Sequence, residues 1–474
     1  MSSTNNFTHL HVASGFSFKY GTAHAASLVE RAAEFEMKAL ALTDRDGMAG
    51  AVTFVQSCEA NGITPILGVN LSFLQKKYRV TLLAQGGKLD SLYRLLTAIK
   101  MNSDQNLITY EVLEKFSEYS KEVLLLHGPE SELALAIAAR RTAQGISIYN
   151  ATRELFAAQA IECVTHQIGG DGPHSTPYAA RSLSFARDHG IPAIITNSVR
   201  MLDRADGPVA DVLDAARQLV PLNIKNVDRR NSEGYLKSGA QMAALADEVA
   251  RLAGERTGRG LLDTTREWAE RAWLSPRLDV GIGQIHLPEA SVVGAKSRIE
   301  LGRQLRERCE TGLARKYSGA QSVKAALRLE EELTTVVGLG YETYFLTVAD
   351  ITDLARARGI RVAARGSGAG SLICHLLGIS GVEPMSHGLL MERFCSPLRG
   401  ELPDIDIDVE SARRLEIYDA IFEQYGDSDW SRPGNQSRCA TVSMVETYRA
   451  RHAIRDVGAA DRKSTRLNSS HRCL

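Results

Sequence analysis

GELPDIDIDVES, residues 400–411, alternates Asp404, Asp406 and Asp408 with Ile405, Ile407 and Val409. Residues two apart in an extended chain share a face, so the spacing predicts a strand with three carboxylates on one side and three branched apolar side chains facing a core. Carboxylates held about 6.5–7 Å apart on one face repel each other. Two arrangements make that tolerable: an edge strand whose acidic face is solvated, or a face that holds divalent cations. Magnesium, a hard ion that takes oxygens from one or two carboxylates and from substrate phosphates, is the natural candidate for the second.

Upstream, RVAARGSGAGSL (361–372) reads as strand, glycine-rich loop and helix start. Gly366, Gly368 and Gly370 would let backbone amides approach a ligand closely, Ser367 and Ser371 add hydroxyls, and a helix N-terminus just after them would favour an anion. A tight turn of small residues accounts for the same letters. The run lacks the G-K-[ST] ending of a Walker loop and does not fit G-x-G-x-x-G. Arg365 at its mouth favours the cradle, because a guanidinium binds phosphate oxygens bidentately. A triphosphate cradle beside metal-binding aspartates is what nucleotidyl transfer requires.

Working outward, 474 residues exceed the roughly 250–300 at which single cores stop growing, so two or three domains are expected. Composition is that of an ordinary globular protein, 44% hydrophobic and 24% charged, and no apolar run approaches the roughly 18–20 residues that span a bilayer. No membrane partner is expected. Seven cysteines without a C-x-x-C pair argue against a disulfide framework and a zinc ribbon, and fit a reducing, cytoplasmic setting. Fifty-six basic and 56 acidic residues cancel, so any nucleic-acid contact must come from local clusters. Arg356, Arg358, Arg361 and Arg365 form one, and Arg438, Arg449, Arg451 and Arg455 another. A solvated helix face suits any one of them equally well.

The first 200 residues repeat an amphipathic helix and a short buried-strand run: KALALTD (38–44), ITPILGV (63–69), YRVTLLAQ (78–85), EVLLLHG (122–128) and IPAIITNS (191–198). Helices between strands imply parallel pairing, in a doubly wound sheet or a β/α barrel. LSPRLDVGIGQIHLPEASVVG (274–294) reads as a connector and places a domain boundary. Helices are then expected over 295–317 and 322–340, the second with an apolar stripe of Val323, Ala326, Leu327, Leu333, Val336 and Val337. After the acidic strand, Leu415, Tyr418, Ile421, Phe422 and Tyr425 predict one more helix, closed by Gly426 as a left-handed cap.

The run from Ala364 to Ser411, with GLGYETYFLTVADITDLARARGI before it and YRARHAIRDVG after it, resembles the palm of bacterial DnaE-type DNA polymerases, the α subunits of the polymerase III family. The resemblance extends over nearly the whole chain to about residue 460. It implies that Gly366 and Ser367 are the nucleotide-binding Gly-Ser pair, with Arg365 beside them. Asp404 and Asp406 are implied to be the first two catalytic, magnesium-binding aspartates of a two-metal site. Asp408 matches a commonly acidic position of no fixed role, and the third catalytic aspartate and the fingers are expected after this stretch. Implied partners are primer–template DNA, deoxynucleoside triphosphates, a sliding clamp and ImuA- and ImuB-type accessory proteins.

The amino-terminal part resembles the PHP domain of these polymerases, a β/α barrel with a His, Asp, Glu and Cys metal cluster. Members with an intact site read HLHxHTxxSxLDG, whereas HLHVASGFSFKYG keeps His9 and His11 but has Ala13 and Tyr20 at a histidine and an aspartate position. Arg45, Asn70, Arg79, Ser198 and Arg200 likewise stand where ligands belong. Alanine and arginine do not ligate zinc or manganese, so no PHP metal is expected. VRMLDRADGPVADVLDAARQLVPL and VDRRNSEGYLKSG are more similar to the error-prone, damage-inducible branch than to the replicative one. The expected architecture is a PHP-type barrel (1–280), an α+β nucleotidyltransferase-type palm (281–432) and the start of a helical thumb (433–460). DRKSTRLNSSHRCL (461–474) resembles a translated sequencing-adapter read-through, and the stretch alone is expected to lack polymerase activity. Alternatives are a replicative α subunit, a PHP phosphoesterase and a non-catalytic DNA-binding module.

Overall fold

The computed structural model describes residues 7–102, 107–223, 229–395, 403–426, 439–442, 444–445 and 448–461. Arg438 and the tail beyond 461 lie outside them. The chain divides into two compact units, one of residues 1–283 with 430–433 and 443–474, the other of residues 284–429 with 434–442.

The first unit is built on eight strands: β1 (Ala39–Leu42), β2 (Thr64–Phe73), β3 (Gln75–Ala84), β4 (Leu107–Ile108), β5 (Val123–His127), β6 (Ala158–Ile168), β7 (His174–Ser175) and β8 (Ala193–Thr196). The order β1-β2-β3-β5-β6 continues to β8 through the β6–β8 pair. The segment 9–13 then joins the two edges. Ala41 N donates to His9 O and Thr43 N to Val12 O on one side, while Val199 N donates to His11 O and Ala13 N to Val199 O on the other. Leu10, Ala41, Ile66, Leu83, Leu126, Ala160 and Ile194 form one buried cluster, so every member of the ring contributes to a single interior. Trp268 and Ala272 close that cluster from the helix 259–271 and the residue after it. Intervening residues such as Leu67, Val69 and Leu82 pack outward in a separate cluster with the helices 25–34, 51–61 and 89–102. A closed β/α barrel therefore resolves the alternative left open by periodicity.

Two departures have simple causes. β3 runs antiparallel to both β2 and β5, not parallel, because Leu74 alone links β2 to β3 at φ 59°, and a parallel crossover needs a dozen or so residues. β6 is not among the expected strands because AQAIECVTHQI mixes polar residues into a strand buried over most of its length. The helix 450–460, in the stretch expected to begin a thumb, belongs to this first unit: Leu222 N donates to Ala460 O at 2.8 Å, and Lys19 pairs with Asp456 at 2.9 Å.

The second unit packs helices 298–316, 319–339 and 342–357 into one core with residues 372–379. A two-stranded antiparallel sheet, β9 (Val362–Arg365) and β10 (Asp406–Val409), lays its apolar side on that core and on a small cluster around Ile417. The expected stripe on helix 319–339 holds at Leu333 and Val336, which are buried, but is out of phase in the first half of the helix. Val323 and Leu327 are exposed, and the buried face is Ala325, Leu329, Glu332, Leu333 and Val336. Leu415 and Tyr418 are likewise exposed, with Ile417 and Ala420 buried instead. Gly426 closes its helix in an extended conformation, φ −91° and ψ 153°, not the left-handed one.

Candidate active site and an arginine-lined cleft

β9 and β10 pair Asp406 with Arg365, Ile407 with Ala364, Asp408 with Ala363 and Val409 with Val362. Opposite residues share a face, so Asp406, Asp408, Ala363 and Arg365 look outward while Ile407, Val409, Ala364 and Val362 look inward. Asp404 is also exposed, and Ile405 is anchored by its amide, which donates to Tyr344 Oη at 3.0 Å. Burial raises the Tyr344 phenol, and the nearby Asp404 and Asp406 carboxylates push the same way, so the hydroxyl stays protonated. Arg365 Nε lies 3.4 Å from Asp408 Oδ1. Asp404 and Asp406 form no ion pair among the described residues. Arg365 thus answers the third of the three like charges and leaves the first two for another cation.

The glycine loop does less than its letters suggest. Gly366 has φ +76° and lies beside Asp406: a Cβ placed on it would sit 3.5 Å from Asp406 Oδ2. Gly368 and Gly370 are buried, packed against Phe394 and the Leu390 carbonyl. Ser367 is exposed, whereas Ser371 is buried, caps Cys374 N and donates to Glu332 Oε2 at 3.0 Å. The following helix has only five residues, Leu372–Leu376, and its first amides do not face a ligand. Leu372 N and Ile373 N donate to the buried Glu332 carboxylate at 3.0 Å each. Arg328 holds the other side of that carboxylate at 2.9 Å and donates to Gly370 O at 2.7 Å. The expected anion-binding helix end is therefore filled from within. Arg365, Gly366 and Ser367 are the part of the loop exposed beside the aspartates.

The first arginine cluster is paired off, Arg356 with Asp353, Arg358 with Glu423, Arg361 with Glu410 and Arg365 with Asp408, at 3.4–4.0 Å. In the second cluster Arg455 meets Asp456 at 3.2 Å.

In the barrel, the residues that the resemblance sets at ligand positions lie in β2 (Asn70), in β3 (Arg79) and just after β1 and β8 (Arg45, Ser198 and Arg200). His9 Nε2 lies 2.8 Å from Lys237 O, and burial takes its imidazole down to about 4. His11 Nδ1 meets the buried Glu162 carboxylate at 2.9 Å. Asp44 accepts from the Ser14 amide and from the hydroxyls of Ser14 and Ser17, a set that packs it as a structural anchor. Arg45 donates to both Glu130 oxygens at 2.8 Å and stacks 3.4 Å above the Tyr20 ring. Arg79 donates to Asn70 Oδ1 at 2.6 Å and to Asp46 at 2.8 Å. Arg200 grips Asp214 at 2.9 and 3.1 Å and also lies 4.1 Å from the centre of the Tyr20 ring. No group of three or more His, Cys, Asp or Glu side chains suited to a metal occurs among the described residues.

One unit is thus a β/α barrel, and the other carries a Gly-Ser loop beside an aspartate strand. Residues 9–166 match the PHP domain model, and residues 303–469 match the model of the bacterial DNA polymerase III alpha NTPase domain. Each of these two matches covers about a third of the chain. The chain is 31% identical over 472 residues to an error-prone DNA polymerase of Symbiobacterium thermophilum, covering 96% of this chain and 41% of that protein. Proteins of the same name from Pseudomonas fluorescens and Ralstonia pickettii are 29% and 30% identical, each match covering 96% of this chain and 40% of the relative. The chain spans about two fifths of the length of these relatives. Among solved structures, a two-domain protein containing a predicted PHP-like metal-dependent phosphoesterase from Bacteroides vulgatus aligns at TM-score 0.29 and 13% identity, over 41% of this chain and 52% of that one, too distant to bear on the fold.

Proposed function

We propose that this chain is the PHP and palm portion of an error-prone, DNA-directed DNA polymerase that copies damaged template. The reaction is attack of a primer 3′-hydroxyl on the α-phosphate of a deoxynucleoside triphosphate. The observation that carries this reading is the outward face on which Asp404 and Asp406, without cationic partners among the described residues, stand beside Gly366 and Arg365. Oxygen-only donors of this kind fit magnesium, and Asp404 and Asp406 are the residues that would hold it. A divalent ion held by Asp404 and Asp406 would lower the cost of charge on the attacking and departing oxygens. Arg365 and the exposed Ser367 orient the triphosphate, and Asp408 holds Arg365 in place.

The PHP site is proposed to bind no metal, since guanidinium groups and an amide fill ligand positions there. A boundary near residue 280, magnesium as the palm metal, a cytoplasmic setting, a sliding clamp and ImuA- and ImuB-type accessory proteins belong to the same proposal. So does the inactivity of this stretch by itself, because the resemblance puts a third catalytic aspartate after it.

Primer extension by the longer protein tests the assignment. Asp404→Ala and Asp406→Ala should each lower the rate by at least about a hundredfold, and undiminished extension by either variant refutes the palm site. Extension across a lesion-bearing template separates the error-prone reading from a replicative one.

A further inference from the structure

The two carboxylates proposed to hold magnesium are not fixed by the same structure. Asp406 pairs with Arg365 in the ladder of β9 and β10, which runs to Val409 and is prolonged where Glu410 N donates to Arg361 O at 3.1 Å. Asp404 lies before the first pair, where the ladder has ended. Alternate residues of an antiparallel strand turn their amides to the partner strand. The bond at Glu410 sets that phase, so Asp406 and Asp408 face β9 with their amides and the Ile405 amide points to the open edge.

Tyr344 takes that amide. Its hydroxyl accepts from Ile405 N at 3.0 Å, and among the described residues the backbone of 403–405 makes no other hydrogen bond. Packing fixes the tyrosine. It stands near the start of helix 342–357, partly buried against the core of the second unit, with its ring edge-on to Phe345 at 6.0 Å between centroids. Tyr341 and Phe345 are buried, and Phe345 is edge-on in turn to Phe394. Burial, and then the fields of Asp404 and Asp406, keep the phenol protonated, so its oxygen is a neutral acceptor beside the carboxylates.

We infer that Tyr344 is a positioning residue for the palm metal: its hydroxyl fixes Asp404 at the separation from Asp406 that a shared divalent ion requires. The inference rests on the proposed palm site and deepens it, since Tyr344 acts through the Ile405 backbone and is not itself a ligand. Two carboxylates share an ion well only when both are held to within about half an ångström, and the groups that brace ligands from behind set much of the affinity. The ladder does this for Asp406, and Tyr344 does it for Asp404. Without the hydroxyl, the Asp404 segment keeps the packing of Pro403 and Ile405 but has no backbone tether among the described residues.

Tyr344→Phe in the longer protein keeps the ring and removes the hydroxyl. Manganese binding, read from the electron paramagnetic resonance signal of the free ion, should weaken about threefold to tenfold. The magnesium concentration for half-maximal primer extension should rise by the same factor, while saturating magnesium restores the rate. Tyr341→Phe, which removes a hydroxyl at the N-cap of the same helix, should change neither. Unchanged manganese affinity in Tyr344→Phe, with Asp404→Asn and Asp406→Asn each weakening it, overturns the inference and leaves the palm site standing. Manganese affinity that neither aspartate variant alters refutes the palm site, and the inference with it. Equal weakening by Tyr341→Phe, or a rate loss that saturating magnesium does not restore, gives Tyr344 a merely structural role and also overturns the inference.

Discussion

Glu332 is 3% exposed, yet its carboxylate accepts from two amides and a hydroxyl and pairs with Arg328. Glu332→Ala removes one acceptor from four donors at once, and should cost about 3–5 kcal/mol in denaturant unfolding. Its signal was present in the sequence: Glu332 lies three residues after Leu329 and four before Val336, inside the true buried phase. The misphased stripe through Val323 and Leu327 hid it. His127 is the corresponding case in the barrel. It is buried with Nε2 2.8 Å from Gln159 Oε1, and burial lowers its imidazole from 6.5 to about 4. The folded chain disfavours the proton, so the stabilisation is complete above pH 6.5 and is lost as pH falls toward 4, by up to roughly 3 kcal/mol. NMR titration should show this ring neutral at pH 5.5, and His127→Gln should flatten the stability slope between pH 6.5 and 4.

At the scale of elements, the hairpin of β9 and β10 rests on alternation, which is why its two faces are legible in the order of the residues alone. Ile405 and Ile407 turn toward the core, each partly buried, because every second residue faces it, and the aspartates between them then face out. The loop between β9 and its helix was legible only in part. Gly366 has a backbone conformation that L side chains resist, so Gly366→Ala should cost about 1–2 kcal/mol in unfolding. Added volume would not be the cause, since the new Cβ would make only ordinary contact with Asp406. Gly368 and Gly370 serve packing against residues 390–394, a long-range fact that no local pattern encodes. The reversed β3 shows the opposite case. A one-residue link at Leu74 dictates a hairpin, and the sequence betrayed it only through the short distance between two strand runs.

For the molecule as a whole, the two units have separate hydrophobic cores. Two calorimetric transitions are therefore expected. Glu332→Ala should lower one by roughly 10 °C, and acidification from pH 6.5 to 4 should lower the other through the buried histidines. A single transition that responds to both perturbations would show that the units unfold together.

The alternation of the aspartate strand, the Gly-Ser loop and the arginines of the barrel were fixed by residue identity and period, because strand alternation and side-chain charge are local properties. Tertiary structure decided which amides of the loop remained for a ligand and which Glu332 consumed. It also decided that segment 9–13 closes the sheet and that Arg45, Arg79 and Arg200 line one cleft. Those outcomes depend on residues tens to hundreds of positions apart meeting in one packed interior, where each buried donor must find an acceptor and each buried charge a partner.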